Sequence, residues 1–269
     1  MPTFVISKQQ GGYMARIFIT GSADGLGKMA AQLLVADGHN VVLHARNDNR
    51  GKAALLAVPG AETVVTGDLS SIAETKQIAE QVNELGAFDA VIHNAAVGYQ
   101  EPSRINTVDG LPHVFAINSL APYILTCLIN KPQRLIYLSS GLHRDGDTSL
   151  RDLTWADRRW NGFSAYADSK LHNVILAFAV ARKWTDVYSN ALEPGWVATK
   201  MGGPGAPDSL KDAPVTQAWL AVSNEAEALV SGKYFYHKKL RDFHPAAANV
   251  EIQALFLAEC ERLSGVRLG

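Results

Sequence analysis

The sequence TGSADGLG, residues 20–27, separates a short apolar run, ARIFI, from KMAAQLLVADG, in which apolar residues recur at helical spacing. A glycine-rich turn between a strand and a helix can bind phosphates, because the N–H groups of the helix N-terminus face the anion. Gly21 would permit the tight turn, Gly25 the close approach of a pyrophosphate, and Gly27 the packing of helix on strand. A plain connecting turn is the alternative, and the order strand, turn, helix makes phosphate binding the better interpretation.

The rest of the chain repeats this alternation of strand and helix. Apolar runs that predict strands are NVVLHAR, AETVVTGD, FDAVIHNAA, QRLIYLSS, DVYSNALEPG and GKYFYH. The alternation predicts an α/β fold, a Rossmann-type doubly wound parallel sheet of about seven strands with helices on both faces. No linker or repeat follows residue 14, so we expect residues 14–269 to form one dinucleotide-binding catalytic domain. Residues 1–13 are expected to be a flexible extension.

Composition narrows the class of function. The chain has 269 residues, 47% of them hydrophobic, and a formal net charge of -1. Without a basic excess we expect no nucleic-acid partner, and no apolar run is long enough to span a bilayer. Cys127 and Cys260 lie far apart in sequence and predict free thiols in a reducing, cytoplasmic location. No cluster has the spacing of a metal site, so no metal is expected.

The end of the second strand bears on the choice of cofactor. In dinucleotide folds this position reads the adenosine ribose: an acidic residue binds the 2'-hydroxyl, whereas a basic residue accommodates a 2'-phosphate. Arg46 stands there with no acidic residue just before it, which favours NADP(H) over NAD(H). An exposed arginine at a strand end is the alternative.

Polar side chains with catalytic potential follow in order along the second half. Ser140 ends the fifth strand, at the edge where open α/β sheets bind ligands. Tyr166 and Lys170 are four residues apart in a helical stretch and therefore share one helix face. Asn118 lies in the preceding helix, which Pro122 should kink or restart. Each of these residues alone has an ordinary structural explanation, but their joint occurrence after a phosphate-binding turn favours catalysis.

These motifs, with the PGWVAT segment at 194–199, resemble in order those of the short-chain dehydrogenase/reductase family, over residues 15 to about 236. The resemblance implies a catalytic set of Asn118, Ser140, Tyr166 and Lys170. It implies cofactor binding by Gly21, Ser22, Asp24, Gly25, Leu26, Gly27, Arg46, Asp68, Leu69, Asn94, Ala95, Tyr166, Lys170, Pro194, Gly195, Val197 and Thr199.

Individual roles also come from the resemblance. Thr199 would meet the nicotinamide carboxamide, Asn118 would support a water relay, and Lys170 would reach the ribose hydroxyls. Asp68 would either accept from the adenine amine or cap a helix. Asp24 departs from members with a second basic residue in the turn, which weakens the NADP(H) assignment. Family members often pair through the tyrosine-bearing helix, which implies a homodimer or homotetramer.

The chemistry accounts for these residue types. Carbonyl reduction needs a hydride, which nicotinamide supplies, and a proton. A free tyrosine has a pKa of about 10, and the Lys170 ammonium should lower the pKa of Tyr166, so that Tyr166 acts as acid in reduction and base in oxidation. Ser140 would stabilise the alkoxide. The expected activity is NADP(H)-dependent interconversion of a carbonyl and a secondary alcohol; the alternative is a catalytically silent nucleotide-binding regulator or redox sensor.

Two segments depart from common members. Ser140 and Tyr166 are 26 positions apart, about twice the common spacing, and similar inserts occur in the retinol-dehydrogenase-like and protochlorophyllide-reductase-like branches. This insert, residues 141–163, carries Trp155 and Trp160, which either line a pocket for an apolar or aromatic substrate or attach the insert to the domain. Residues 200–214, rich in Gly and Pro, are expected to be a mobile lid.

Overall fold

A computed structural model describes residues 14–269, so the extension predicted for residues 1–13 lies outside the described residues. One sheet runs through this part of the chain in the order β3-β2-β1-β4-β5-β6-β7-β8. Its strands are β1 Arg16–Ile19, β2 Asn40–Ala45, β3 Thr63–Thr66, β4 Ala90–His93, β5 Arg134–Leu138, β6 Tyr188–Glu193, β7 Tyr234–Tyr236 and β8 Lys239–Leu240. The first seven pair in parallel, which confirms the predicted Rossmann-type fold.

The eighth strand was not predicted. β8 has two residues and pairs antiparallel to β7 across a tight turn. His237 and Lys238 in that turn have positive φ, 48° and 62°, without being glycines. Left-handed backbone at such residues carries little sequence signal, which explains why GKYFYH indicated only the end of the sheet.

Helices cover both faces of the sheet. They are α1 Gly25–Ala36, α2 Asp48–Ala57, α3 Ile72–Glu84, α4 His113–Phe115, α5 Ala121–Leu128, α6 Gly162–Lys183, α7 Val215–Val222 and α8 Val250–Ser264. α1, α2 and α7 pack on the face that carries Ile17 and Ile19, and α3, α5, α6 and α8 pack on the face that carries Phe18. Two buried faces require near-continuous apolar strands, as the sequence shows.

The segment around Asn118 departs from a regular helix. α4 passes into a π-helical turn, Ala116–Leu120, before α5 begins. Pro122 lies in the first turn of α5, directly after this π-turn. The backbone at Phe115, Leu120 and Ala121 is helical, so the predicted restart at Pro122 does not occur. The helix instead widens just before the proline, with Asn118 in the middle of the widened turn. π-turns of this kind occur frequently at functional sites.

The last helix covers the tyrosine-bearing helix. Every residue of α6 from Ala165 to Val180 is buried within the single chain, and Phe256 and Leu257 of α8 belong to the same apolar core. The stretch of α6 through which the resemblance implied pairing is thus covered within the single chain, and the oligomeric state stays a prediction. No helix within residues 14–269 combines the length and apolar character that crossing a membrane requires.

Candidate active site

A cleft of about 640 Å³ opens at the carboxyl ends of β1 to β6. Thirteen of the predicted cofactor residues line it: Gly21, Asp24, Gly25, Leu26, Arg46, Asp68, Leu69, Asn94, Ala95, Tyr166, Lys170, Pro194 and Thr199. They come from the segments that follow β1, β2, β3, β4 and β6 and from helix α6, which a parallel sheet gathers at one edge. The other four, Ser22, Gly27, Gly195 and Val197, lie outside the cleft wall.

The glycine turn has the shape of a phosphate cradle. Gly21 has a φ of +64°, and a Cβ there would lie 2.8 Å from the Ala95 Cα. A Cβ on Gly27 would lie 2.4 Å from the side-chain nitrogen of Asn94, so that glycine permits contact between α1 and the loop after β4. A Cβ on Gly25 would meet nothing within 4 Å. Its backbone is therefore open to the cleft, and the turn fits the diphosphate of a dinucleotide.

The buried side chain of Ser22 connects this turn to β1 and β2. Its hydroxyl donates to the Ile19 carbonyl at 2.9 Å and accepts from the His44 N–H at 2.8 Å, and the side chain is fully buried. The hydroxyl of Ser22 therefore stabilises the turn, and cofactor binding by Ser22 stays a prediction.

His44 fixes the turn from the side of β2. Its Nδ1 accepts from the Gly21 N–H at 3.0 Å, so Nε2 carries the ring proton and donates to the Gly67 carbonyl at 3.0 Å. Burial lowers the pKa of His44 to about 4, which keeps the imidazole neutral as these bonds require. His44 also lines the cleft. Sequence reasoning did not select it, although its position at the end of the second strand could have indicated a place at this edge of the sheet.

Several positive side chains line the cleft, two of them beside Asp24. Arg46, which is exposed, lines the cleft together with Lys28, Arg50 and Lys200. Asp24 is the nearby acid; it caps α1 by accepting from the Gly25 N–H, and Lys200 lies 2.5 Å away. The Lys200 hydrogen bond holds the pKa of Asp24 below its usual range. The unfavourable charge expected from Asp24 is thus compensated by residues that sequence reasoning did not select.

Asp68 and Leu69 lie on the cleft wall after β3. The Asp68 carboxylate accepts from the Ser70 N–H at 2.9 Å, whereas the N-cap of α3 is Ser71. Asp68 is therefore not the helix cap, and its position on the cleft is compatible with the adenine contact that the resemblance implied.

Tyr166 and Lys170 line the cleft, and Ser140 lies next to Tyr166. The Ser140 hydroxyl is hydrogen-bonded to Tyr166. The Lys170 ammonium donates to the Leu138 carbonyl at 3.1 Å and lies 5.3 Å from the centre of the Tyr166 ring. β5 and α6 thus bring together the three groups that the sequence spacing predicted.

The pKa values of Tyr166 and Lys170 differ from expectation. Burial raises the pKa of Tyr166 above its usual value, and the Ser140 hydrogen bond opposes that rise only in part. Burial also lowers the pKa of Lys170 to about 7. The predicted lowering of the Tyr166 pKa by Lys170 is wrong for the protein alone, because removal from water penalises the phenolate and the ammonium alike.

Asn118 is held by protein partners on all sides. Its Oδ1 accepts from the Val97 N–H at 2.8 Å, and its Nδ2 donates to the Val97 carbonyl and the Ser169 hydroxyl, both at 3.0 Å. The side chain is fully buried. It joins the loop after β4 to α6 as a structural bridge, and its support of a water relay stays a prediction.

The predicted residues of the loop after β6 fall into two groups, those that line the cleft and those that shape the loop. Pro194 and Thr199 reach the cleft, as do Met201 and Leu210 of the expected lid. Gly195 has a φ of +90°, and a Cβ there would lie 2.6 Å from the Asp208 carboxylate, which accepts from the Trp196 N–H. Val197 forms a β-bridge with Asp208. Gly195 and Val197 therefore shape the segment that carries Thr199.

The insert is attached to α6 by a buried ion pair. Arg158 donates to the Asp168 carboxylate at 2.9 Å, and its guanidinium lies 3.8 Å from the centre of the Trp155 ring. Trp155 is buried in a small cluster with Ala165. Of the two roles considered for the tryptophans, attachment is the one their surroundings support, since neither lines the cleft.

The insert nevertheless acts on the cleft through a neighbouring loop. The Trp160 indole donates to the Glu101 carbonyl at 3.0 Å. Gly162 is so close to this loop that a Cβ would lie 2.5 Å from the same carbonyl and 2.9 Å from that of Tyr99. The Tyr99 ring lies 5.7 Å from the Tyr166 ring and 6.2 Å from that of Phe163. The insert therefore positions the Tyr99 ring against Tyr166, behind the residues that line the cleft.

Comparisons with known proteins agree with this geometry. A family model described as short chain dehydrogenase matches residues 15–133. An uncharacterized oxidoreductase, AN7799, of Emericella nidulans is 49% identical, with 94% of this chain and 98% of the relative aligned. Retinol dehydrogenase 13 of Homo sapiens is 32% identical, covering 93% of this chain and 84% of the relative.

A solved structure of an uncharacterized protein from Mycobacterium Paratuberculosis has the same fold, with a TM-score of 0.83, 23% identity and 96% of each chain covered. The chain belongs to the short-chain dehydrogenase family, whose members are oxidoreductases that bind a nicotinamide cofactor. No group of three or more side chains suited to a metal ion occurs among residues 14–269.

Proposed function

We propose that the protein is an NADP(H)-dependent oxidoreductase that reduces the carbonyl of an apolar or aromatic substrate to a secondary alcohol. The observation that carries this proposal is the pairing of Tyr166 and Lys170 in the cleft wall, with Ser140 hydrogen-bonded to Tyr166. A nucleotide-binding regulator without catalysis would have no use for a buried lysine beside a buried tyrosine.

The residues divide the chemistry between them. The bound nicotinamide supplies the hydride. Because burial raises the pKa of Tyr166, its phenol is protonated at neutral pH and can act as the acid in reduction. The Ser140 hydroxyl can hydrogen-bond the developing alkoxide. Lys170 in its charged form would stabilise the phenolate that remains after proton transfer.

The preference for NADP(H) rests on charge. Arg46, Arg50, Lys28 and Lys200 line the cleft, and Lys200 compensates Asp24. Arginine and lysine are the residues that accommodate a 2'-phosphate.

The apolar substrate class rests on the apolar side chains that line the cleft together with Tyr166, namely Val97, Ile117, Met201 and Leu210. The name of one relative, a retinol dehydrogenase, is consistent with this substrate class. We also propose a cytoplasmic location, which the free thiols of Cys127 and Cys260 support.

Tyr166→Phe tests the function, with Tyr99→Phe as the matched control because it removes one hydroxyl from the adjacent ring. With NADPH and a panel of aryl ketones, Tyr166→Phe should lower kcat by about 10²–10⁴-fold and leave NADPH binding intact. Tyr99→Phe should retain most of the turnover. Near-normal turnover by Tyr166→Phe would disprove the mechanism, and NADPH binding by the wild type without turnover of any carbonyl would favour the regulator.

A further inference from the structure

We propose that His113, oriented by Glu101, recognises a hydroxyl group that the substrate carries on the side away from its reacting carbonyl. The preferred substrate is then a hydroxylated aryl ketone. This inference rests on the proposed function and adds to it a second point of recognition.

His113 faces the same cleft as Tyr166. It is the first residue of α4 and lines the cleft with Val97 and Ile117. The next residue, Val114, packs in one apolar cluster with Ala165, which directly precedes Tyr166 in α6. The imidazole is therefore anchored beside the first turn of the catalytic helix.

Glu101 holds this imidazole in one orientation. Its Oε1 lies 2.7 Å from His113 Nδ1, and its side chain is 12% exposed. The other carboxylate oxygen, Oε2, is buried and has no hydrogen-bond partner within residues 14–269. A carboxylate with an unpaired buried oxygen lowers stability, and no hydrogen bond within residues 14–269 offsets that loss at Oε2. The role of Glu101 in orienting His113 explains why a carboxylate stands at this position.

The loop that carries Glu101 is itself rigidly held. The Trp160 indole binds its carbonyl, and Gly162 fits against the same carbonyl with no room for a Cβ. Two residues of the insert thus fix the position of Glu101, and through it that of His113. A recognition group needs such support to be selective.

The remaining ring nitrogen is the one available to a ligand. Nε2 of His113 is neither bonded nor buried in the described part of the chain. With Nδ1–H donated to Glu101, a neutral imidazole offers Nε2 as an acceptor, and a protonated imidazole offers it as a donor. A hydroxyl group can bind either form, since it both donates and accepts, whereas an ether or ketone oxygen can bind only one.

Apolar side chains define the rest of the ligand. Val97, Ile117, Met201 and Leu210 line the cleft together with His113 and Tyr166, and such a lining suits the apolar rings of an aryl ketone. A planar ketone with its carbonyl at Tyr166 and its hydroxyl at His113 would satisfy both the apolar and the polar groups of this part of the cleft.

Binding in a dead-end complex tests the inference without turnover. The full-length protein is saturated with NADP+, which has no hydride to give a ketone, and titrated calorimetrically with 1-tetralone and with its 5-, 6- and 7-hydroxy derivatives. The wild type should bind at least one hydroxy derivative about tenfold more tightly than 1-tetralone. His113→Leu should abolish that preference, and Glu101→Gln should reduce it.

Two further variants separate recognition from damage to the fold. His113→Gln keeps a side chain that both donates and accepts, and should retain part of the preference. Leu210→Val, which alters an apolar part of the same cleft, should change the affinity for all four ketones alike. If the wild type binds no derivative more tightly than the parent, or His113→Leu keeps the preference, the inference is wrong. That result would leave the proposed function standing if NADPH turnover still depends on Tyr166.

Discussion

The ammonium of Lys170 lies 5.3 Å from the centre of the Tyr166 ring and donates to the Leu138 carbonyl rather than to the phenol. Both side chains are almost fully buried. The protein alone therefore favours a neutral phenol and a lysine that titrates near neutrality, and the lysine charge becomes important only when the phenol gives up its proton.

This relationship between Lys170 and Tyr166 predicts how kcat/KM for NADPH depends on pH. Burial lowers the pKa of Lys170 to about 7, so the free enzyme loses the ammonium as the pH rises above 7. With NADPH as the varied reactant, kcat/KM reports the free enzyme and should fall about tenfold per pH unit above pH 7. Lys170→Arg, whose guanidinium stays charged, should be slower but lack this falling limb. A limb at the same pH in both proteins would assign it to another group.

The bridge made by Asn118 predicts a loss of stability. Asn118→Leu keeps the size of the side chain and leaves both the N–H and the carbonyl of Val97 without their partner. We expect the free energy of unfolding to fall by about 3 kcal/mol, measured by urea denaturation. Ser169→Ala removes only one of the partners of Asn118, so its loss should be smaller. Equal losses in the two variants would contradict this account.

The position of Arg46 in the cleft wall predicts a preference for NADPH over NADH. Arg46→Gln should lower the ratio of kcat/KM for NADPH over NADH by at least about tenfold, because a charge-assisted hydrogen bond to the 2'-phosphate is lost. Lys52→Gln removes the same charge from an exposed position on α2 outside the cleft wall and should leave the ratio unchanged. An equal effect of both substitutions would indicate general electrostatic attraction instead of a specific contact.

The ion pair of the insert predicts a stability change that depends on pH. Burial raises the pKa of Asp168, and Arg158 opposes that rise. In Arg158→Met the folded-state pKa of Asp168 rises further above its unfolded value, so stability is lost as the pH increases. The loss should be about 3 kcal/mol at pH 8 and small near pH 4.

The neighbouring arginine provides the control for this variant. Arg159 is exposed, and Arg159→Met should change the free energy of unfolding by no more than about 0.5 kcal/mol at either pH. A loss in Arg158→Met that is independent of pH would assign the effect to lost packing on Trp155.

The covering of α6 by α8 predicts that two copies do not pair through α6. Light scattering after size exclusion should give the mass of one chain. Truncation after residue 249 removes α8 and uncovers apolar surface, so the shortened chain should associate or aggregate. Leu255→Ser, on the exposed side of α8, should behave as the wild type. A wild-type dimer that persists in the truncated chain, without further association, would contradict this prediction.

The sheet was predictable because strands buried on both faces are continuous apolar runs, and the helices between them show apolar residues at helical spacing. The Tyr166, Ser140 and Lys170 cluster was predictable because strand ends meet at one edge and i, i+4 residues share a helix face. These are local rules of the chain. They hold in any fold of this class, whatever the details of packing.

What the sequence could not show depends on partners far along the chain. Ser22 stands in the glycine motif but turns its hydroxyl towards Ile19. Lys200 reaches Asp24 across 176 positions. The pKa of Tyr166 depends on how deeply the ring is buried, which spacing does not express. His113 and Glu101 belong to no motif, and only the folded loop brings them together.

Gly162 has a consequence for how such enzymes diverge. Because it admits no side chain between the insert and the carbonyls of Tyr99 and Glu101, the insert and the loop at 97–101 are matched surfaces. Transplanting the insert of a relative without its loop would misplace Tyr99 beside Tyr166. Substrate range in this part of the family would then be inherited in paired segments, and a designer would need to exchange both at once.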